Sequence, residues 1–469
     1  MRRVVAFVAA CSALLAGLAV TTPPAQAAEQ PNLLVIMLDD AGMESLPYLP
    51  NVQQLVGNRG ATFKRSFAVY PLCGPSRATY YTGQYTHNHG VLCNFPPNGS
   101  VTQLDDTRTV PVALHDAGYD TVHVGKYLNG YGHETGPVVP PGWTEWYTGY
   151  GEGTYEYTDF ALSENGTVVR YGPEDYQTDV LADIAEREVR ERADRPWMLS
   201  MMVLAPHATA GRLHPDGLYP DPVPAPRHQG TLAGITLPRT PAFNEADVSD
   251  KPRYVRNRPL IDDGQIAAMR RQHRARSESL LAVDEAVARL HQALVDTGQL
   301  ERTLVVFTSD NGWLQGQHRF PQGKVHGYAP SAQVPLMIAG PGVTAGTRVQ
   351  VVGNVDLPAT LLDYAGAAPV LPPDGRSLRP LLGDPAAPWP SALYVASGPR
   401  PDAAWYEGVR TSQYLYLRHS WGEEEMYDLW ADQYELDNLA GTPSDALTWL
   451  RAQTDARHGC IGVDQCRPF

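Results

Sequence analysis

Lysine is scarce in this chain: only Lys64, Lys126, Lys251 and Lys324 occur among 469 residues, although Lys and Arg together number 37. Arginine therefore supplies the ordinary surface charge. The few lysines are worth locating, because an ammonium is a compact charge with a tunable pKa that a guanidinium cannot replace. Positive charge as a whole is in deficit, 37 basic against 51 acidic residues, for a formal net charge of −14. That balance argues against nucleic acid or an anionic membrane as the main partner, and an anionic substrate would need a local basic pocket. Beyond the N-terminus no stretch approaches the roughly eighteen apolar residues of a membrane span. Cysteine is also sparse, five in all.

The N-terminus is the exception to the missing hydrophobic runs. Met1-Arg2-Arg3 is followed by an apolar stretch from Val4 to Val20 and by Ala25-Gln26-Ala27, the pattern of a cleavable secretory signal. Residues 1–27 are expected to be removed, leaving a secreted, extracytoplasmic protein two charges more negative than the precursor. Cys11 resembles a lipoprotein acceptor locally, but too short an apolar region precedes it. Of the remaining cysteines, Cys460 and Cys466 flank a short tail loop and are the expected disulfide, whereas Cys73 and Cys93 could be paired, free or modified.

The length predicts a large domain with a smaller one appended. Asn32 to Leu38 is a continuous apolar run that ends in Asp39-Asp40-Ala41-Gly42, as a buried parallel strand delivering two carboxylates would read. Thr303 to Phe307 repeats this and leads to Asp310-Asn311-Gly312. Trp197 to Leu204, ending Ala205-Pro206-His207, and Val334 to Ala339 are two further runs of the same kind. Helical patterns at Pro111 to Ala117, Tyr176 to Ala193 and Gln265 to Thr297 alternate with them. The fold class is α/β, with a large, mostly parallel, doubly wound sheet. Ala208 to Pro259 lacks a period and reads as an irregular surface excursion. Beyond about Asp374 short alternating pieces predict a small antiparallel sheet. The expected organisation is thus a signal over 1–27, a catalytic α/β domain over 28–373 and a C-terminal subdomain over 374–469.

Strand ends in open α/β sheets converge on ligand sites. Asp39, Asp40, Asp310 and Asn311 offer only oxygen, which suits a hard cation. Each pair alone could equally cap a loop or helix, but two pairs at equivalent strand ends favour the metal. His318 and His326 nearby leave zinc open on composition. In Leu72-Cys73-Gly74-Pro75-Ser76-Arg77, the proline fits a helix start, which would aim amides and a positive dipole end at Cys73 and acidify its thiol. A buried cysteine at a helix start is the plainer alternative.

Cys73-Gly74-Pro75-Ser76-Arg77 followed by Thr82-Gly83 resembles the signature of the sulfatase family, in which the cysteine is oxidised to formylglycine. Gly125-Lys126-Tyr127-Leu128-Asn129, Thr308-Ser309-Asp310-Asn311-Gly312, Val334-Pro335-Leu336 and Met426-Tyr427-Asp428-Leu429 extend the resemblance from about Pro31 to Leu439. It implies an alkaline phosphatase-like fold and maturation by a formylglycine-generating enzyme. The implied cation is calcium, with magnesium possible, held by Asp39, Asp40, Asp310, Asn311 and the modified Cys73. Arg77 matches the arginine that holds the formylglycine hydrate, and Lys126 the lysine that contacts hydrate and sulfate. His207 and Lys324 match the groups at the leaving oxygen. One hydroxyl of the hydrate would attack sulfur, and the other would later expel sulfate.

Leu128 stands where many sulfatases carry histidine, and Gly-Lys-Tyr-Leu-Asn looks like the glucosamine-6-sulfatase branch. The base for sulfate release is thereby left open, with His89 a candidate and a loop role for His87 or His89 the alternative. His123, in an apolar strand pattern, reads as structural. Pro330 and Gln333 stand where relatives often carry charge. The implied substrate is a saccharide sulfate ester, as for N-acetylglucosamine-6-sulfatases. The alternatives are an arylsulfatase or a phosphonate or phosphate ester hydrolase of the same superfamily.

Overall fold

The computed structural model describes residues 30–398 and 405–469; the expected signal segment lies outside them. Ten strands form one sheet: β1 (Asn32–Leu38), β2 (Ala61–Phe67), β3 (Asp120–Gly125), β4 (Glu145–Gly149), β5 (Ala161–Glu164), β6 (Thr167–Arg170), β7 (Trp197–Met202), β8 (Thr303–Ser309), β9 (Leu336–Ala339) and β10 (Gly346–Gly353). Their spatial order is β10-β2-β9-β8-β1-β7-β3-β4-β5-β6. The centre, β8-β1-β7-β3-β4, is parallel throughout.

Every residue of β1 is buried, and its side chains alternate between two cores, as a strand covered on both faces requires. Leu34, Ile36 and Leu38 pack with Leu181 and Ala185 of α3 (Gln177–Glu191) and with Leu280, Val283 and Val287 of α4 (Asp263–Asp296). Leu33, Val35 and Met37 face the other way. They share a core with Ala78 and Tyr81 of α1 (Cys73–Thr82), Leu114 of α2 (Val110–Asp116) and Leu357 and Leu361 of α5 (Asp356–Ala365). The long helix α4 starts at a capping box, where Asp262 accepts from the Gln265 amide at 2.8 Å.

A second sheet, antiparallel in the order β11-β12-β13-β14, comprises β11 (Ala392–Ser397), β12 (Tyr406–Thr411), β13 (Tyr414–His419) and β14 (Glu424–Asp428). The α/β class and both sheets are as the sequence predicts. Helices α2, α3 and α4 fall within two residues of the expected bounds. The Cys460–Cys466 disulfide is formed, and Cys73 and Cys93 are free and buried. Between 208 and 259 the only helical pieces are the short turns Pro226–His228 and Arg253–Arg256.

One strand differs from expectation. β9 runs antiparallel to both β8 and β2 rather than parallel. A doubly covered strand is apolar whichever way it runs, so its composition carries no direction. The chain returns from β8 to β9 without a crossover helix, through loops and the four-residue helix Ala329–Ala332. Among the described residues no helix is long and apolar enough to cross a membrane.

Candidate active site

Four neighbouring strands deliver polar residues just beyond their carboxyl ends: β8 leads to Asp310 and Asn311, β1 to Asp39 and Asp40, β7 to His207, and β3 to Lys126. This is the edge at which open α/β sheets take their ligands. Gly125, the last residue of β3, has φ +103°, and a Cβ there would sit 2.1 Å from the Met202 carbonyl oxygen. Only glycine permits that approach, and it lets the Lys126 amide donate to the same oxygen at 2.8 Å. Asp40 is itself left-handed, φ 66°, an uncommon conformation for a residue with a side chain. Its backbone is tied at both ends, since the amide donates to Asp310 Oδ1 at 3.1 Å and the carbonyl accepts from Arg276.

The helix α1 begins at Cys73 itself, two residues before the expected start, with Pro75 third; a proline is tolerated there because first-turn amides have no intrahelical acceptor. All ten residues of α1 are buried. The Gly74 amide donates to Asn94 Oδ1 at 2.8 Å, and a Cβ at Gly74 would come within 2.9 Å of that oxygen.

Cys73 Sγ lies 3.3 Å from Asp39 Oδ1 and 3.9 Å from Asp40 Oδ1. Lys324 Nζ approaches Sγ at 2.7 Å and also donates to Asp40 Oδ1. Lys126 donates to Asp39 Oδ2, and its ammonium sits 4.9 Å from the centre of the Tyr155 ring. Arg77 reaches Asp310 Oδ2 with Nε at 2.8 Å and the Lys126 carbonyl with Nη1 at 2.8 Å, while its Nη2 is 3.5 Å from Asp39. Asn311 Nδ2 donates to Asp40 Oδ1 at 2.6 Å. His207 Nδ1 is 2.7 Å from the Ala208 carbonyl, which can only accept, so Nδ1 carries the hydrogen. Its Nε2 faces Asp40 Oδ2 at 3.6 Å.

Burial would raise the Asp39 carboxyl, but Lys126, His207, Arg77 and Lys324 outweigh it and hold the group well below its usual range. Asp310 goes the other way, to about 6, through burial and the Asp39 charge. For Lys126 and Lys324 burial opposes the charge, yet Asp39 and Asp40 respectively keep them ammoniums. Burial lowers His207. The expected acidification of Cys73 is not found: burial, then the Asp39 carboxylate, push the thiol up, against Lys126 and Lys324. A helix N-terminus does not offset so dry a position beside a carboxylate.

Asp39, Asp40, Cys73 and His207 each bring a ligand-type atom within 4.8 Å of the others. Asp40 Oδ2 and Asn311 Oδ1 are buried acceptors with no hydrogen-bond donor. Orphaned acceptors of this kind are costly unless a cation or donor completes them. The residues present therefore fit a cation, and the oxygen-rich set fits a hard one.

All the expected residues except His89 meet in this cluster. His89 Nδ1 accepts from the Val91 amide at 3.1 Å and Nε2 lies 3.1 Å from Thr79 Oγ1, so its ring is engaged along α1, away from Cys73. His318 pairs with Glu245 at 2.6 Å and is outside the cluster. The sequence reading did not find Arg276, which donates to the carbonyls of Asp40 and Pro206 and ties two strand ends together. The signal was available: Arg276 falls on the buried stripe of α4 with Gln272, Met269 and Leu280, where a charged residue has no bland explanation. Beside Lys324 a cavity of about 320 Å³ is lined by Leu218, Tyr219, Arg258 and Gln322. The irregular excursion therefore shapes the approach to the cluster.

A family model described as Sulfatase matches residues 31–367, and one described as N-sulphoglucosamine sulphohydrolase, C-terminal, matches residues 316–453. An arylsulfatase of Volvox carteri is 31% identical over 516 residues, covering 97% of this chain and 78% of the algal protein. The N-acetylglucosamine-6-sulfatase of Homo sapiens is 32% identical over 371 residues, 75% of this chain; the alignment spans 64% of the human protein. A solved structure described as a complex with its substrate D-glucosamine-2-N,6-O-disulfate shares the fold, with a TM-score of 0.75 at 24% identity, over 91% of this chain and 97% of that one.

Proposed function

This chain belongs to the sulfatase family and is a sulfatase-type hydrolase; from that premise we propose that it is a secreted, calcium-dependent enzyme that cleaves a sulfate monoester on a sugar. The observation that carries the reading is the placement of Cys73 Sγ against Asp39, Asp40 and Lys324 at the carboxyl edge of the sheet. The thiol sulfur occupies the place of the formylglycine oxygens. Formylglycine, made from Cys73 by a formylglycine-generating enzyme, supplies on hydration one hydroxyl to attack sulfur and a second to release sulfate.

Asp39, Asp40, Asp310, Asn311 and the side chain at 73 would hold calcium, or magnesium in its place, and such an ion would supply positive charge beside the side chain at 73. Arg77, anchored on Asp310, orients the attacking oxygen. Lys126 and Lys324 remain ammoniums and place fixed positive charge around the sulfuryl group. The proton for the departing alcohol comes from the side of Lys324 and His207. Burial of Arg77 and Lys126 with the Asp39, Asp40 and Asp310 carboxylates keeps bulk water from competing with these donors, while Lys324 and His207, partly exposed, face the approach. Residues 28–373 form the catalytic domain and 374–469 its C-terminal subdomain, with secretion directed by the N-terminal segment.

The sugar assignment, N-acetylglucosamine-6-sulfatase-like, is supported by Gly125-Lys126-Tyr127-Leu128-Asn129 and by the similarity to the human protein of that name. An arylsulfatase is the second reading, favoured by the algal relative that aligns over nearly the whole chain. Turnover of N-acetylglucosamine 6-sulfate, 4-nitrophenyl sulfate and 4-nitrophenyl phosphate by the calcium-loaded protein separates these. The sugar should give the highest kcat/KM. Preference for the aryl sulfate would support the second reading, and preference for the phosphate would overturn both.

A further inference from the structure

Lys324 Nζ reaches both Cys73 Sγ, at 2.7 Å, and Asp40, yet the lysine lies in the loop between β8 and β9 rather than at a strand end. The residue after it, Val325, has φ 73°. A β-branched residue in the left-handed region is an outlier, and such strain persists only where the surroundings over-determine it. Here they do. Val325 packs with Tyr70 and Leu72, and its amide donates to the Pro71 carbonyl at 2.9 Å, two residues before Cys73. Residues 327 to 329 are held by the second sheet and the loop that follows it. Arg410 Nη2, from β12, donates to the Gly327 carbonyl at 3.0 Å and pairs with Glu435 Oε1 at 2.7 Å. Glu435 Oε2 in turn accepts from the Ala329 amide at 2.9 Å. The Tyr328 hydroxyl donates to Glu425 Oε2 of β14 at 2.6 Å.

Arg410 and Glu435 are 3% and 1% exposed, so the pair is closed to solvent. A buried ion pair is weak evidence for stability, since apolar residues of similar volume often serve as well. Direction is what this pair adds. The guanidinium takes a carbonyl and the carboxylate takes an amide two residues further on, which pins that stretch of backbone at two points. Glu435 is itself left-handed, φ 59°. On the other side of Lys324 the Gly323 carbonyl accepts from the Leu314 amide at 2.7 Å. The backbone is therefore fixed before and after the lysine, and its side chain leaves in one direction, towards position 73.

We propose that Arg410, Glu435 and Val325 are positioning residues that act through Lys324: they fix the loop that aims its ammonium at position 73, which makes the second sheet a working part of the site. The catalytic consequence rests on the role given to Lys324 in sulfuryl transfer. Arg410→Gln and Val325→Gly are made alone and together with Lys324→Gln, with thermal midpoints as the folding control. The first removes the clamp, and the second frees the strained backbone without adding bulk. Each should lower kcat on 4-nitrophenyl sulfate by ~10-fold to 100-fold, the cost of misplacing a group by about 1 Å. In the Lys324→Gln background the same changes should alter kcat by less than ~2-fold, because the group they position is gone. A second readout needs no turnover. The folded proteins are treated with acetic anhydride, and acetylation of Lys324 is compared by mass spectrometry with that of exposed Lys64 and buried Lys126. Loss of the clamp should raise Lys324 relative to Lys64 at least ~3-fold and leave Lys126 unchanged, whereas general loosening would raise both. Unchanged Lys324 acetylation in both folded variants, Lys126 rising in step with Lys324, unchanged kcat against an active parent, or undiminished losses in the Lys324→Gln background would overturn the proposal. Acetylation that rises at Lys324 alone, when not even the parent turns over sulfate ester, keeps the clamp and rejects the chemistry. Turnover by the parent with Lys324 acetylation unmoved rejects the clamp and leaves the enzyme.

Discussion

Lys324 Nζ lies 2.7 Å from Cys73 Sγ, across 251 positions of sequence, and the same ammonium donates to Asp40. One lysine thus touches both the nucleophile position and a carboxylate of the cation site, so its charge acts where negative charge develops during sulfuryl transfer. Lys324→Gln should keep the fold, because the side chain sits at the edge of a cavity, 12% exposed. Its kcat on 4-nitrophenyl sulfate should fall by roughly 100-fold or more, the usual cost of losing a preorganised donor. A loss below about tenfold would remove Lys324 from the chemistry.

Lys126→Arg should not be conservative. The ammonium is enclosed between Asp39 and the Tyr155 ring, with its side chain 2% exposed, and the planar, larger guanidinium cannot occupy that space without moving one of them. Turnover should drop by about two orders of magnitude with the protein still folded by far-UV circular dichroism. Near-normal kcat in the arginine variant would contradict the assigned role.

Chelation provides a third test. Asp40 Oδ2 and Asn311 Oδ1 lack donors in the protein, so a bound cation satisfies them and stabilises the native state by mass action. EDTA should abolish turnover and lower the Tm, and calcium should restore both. Full activity and an unchanged Tm after exhaustive chelation would contradict the cation site.

The acid limb of stability should depend on His123. Its ring is fully buried, stacked 4.5 Å from Trp146, with Nε2 on the Gly125 carbonyl and Nδ1 unpartnered, and burial lowers its pKa from 6.5 to about 3. Below pH 6.5 the unfolded chain takes up a proton that the native ring refuses, so stability is lost as pH falls towards 3. Between pH 7 and 5 this group alone costs about 2 kcal/mol. In His123→Phe the fall in Tm across that interval should be visibly smaller than in the parent; equal slopes would rule out the assignment.

Much of this site was legible because its residues sit at the ends of apolar strands. Asp39-Asp40, Asp310-Asn311 and His207 follow runs that can only be buried strands, and strand ends are where such sheets bind ligands. Scarcity pointed to Lys126 and Lys324, two of only four lysines. The direction of β9 was hidden, because burial on both faces erases the alternation that would distinguish its partners. The short strands β4 to β6 gave no comparable run. Arg276 could not be read with its partners, since its contacts to the Asp40 and Pro206 carbonyls join segments far apart in sequence. The thiol expectation failed for a related reason: a helix start is local and visible, whereas the Asp39 carboxylate beside it arrives from another strand.

The central claim is that Cys73 is converted to formylglycine, and one measurement tests it directly. The protein is isolated from its native host, digested with trypsin, and the peptide from Ser66 to Arg77 is weighed by mass spectrometry. A mass lower by the difference between CH2SH and CHO at position 73, in a preparation that turns over sulfate ester, is the predicted result. An unmodified thiol throughout an equally active preparation would contradict the account.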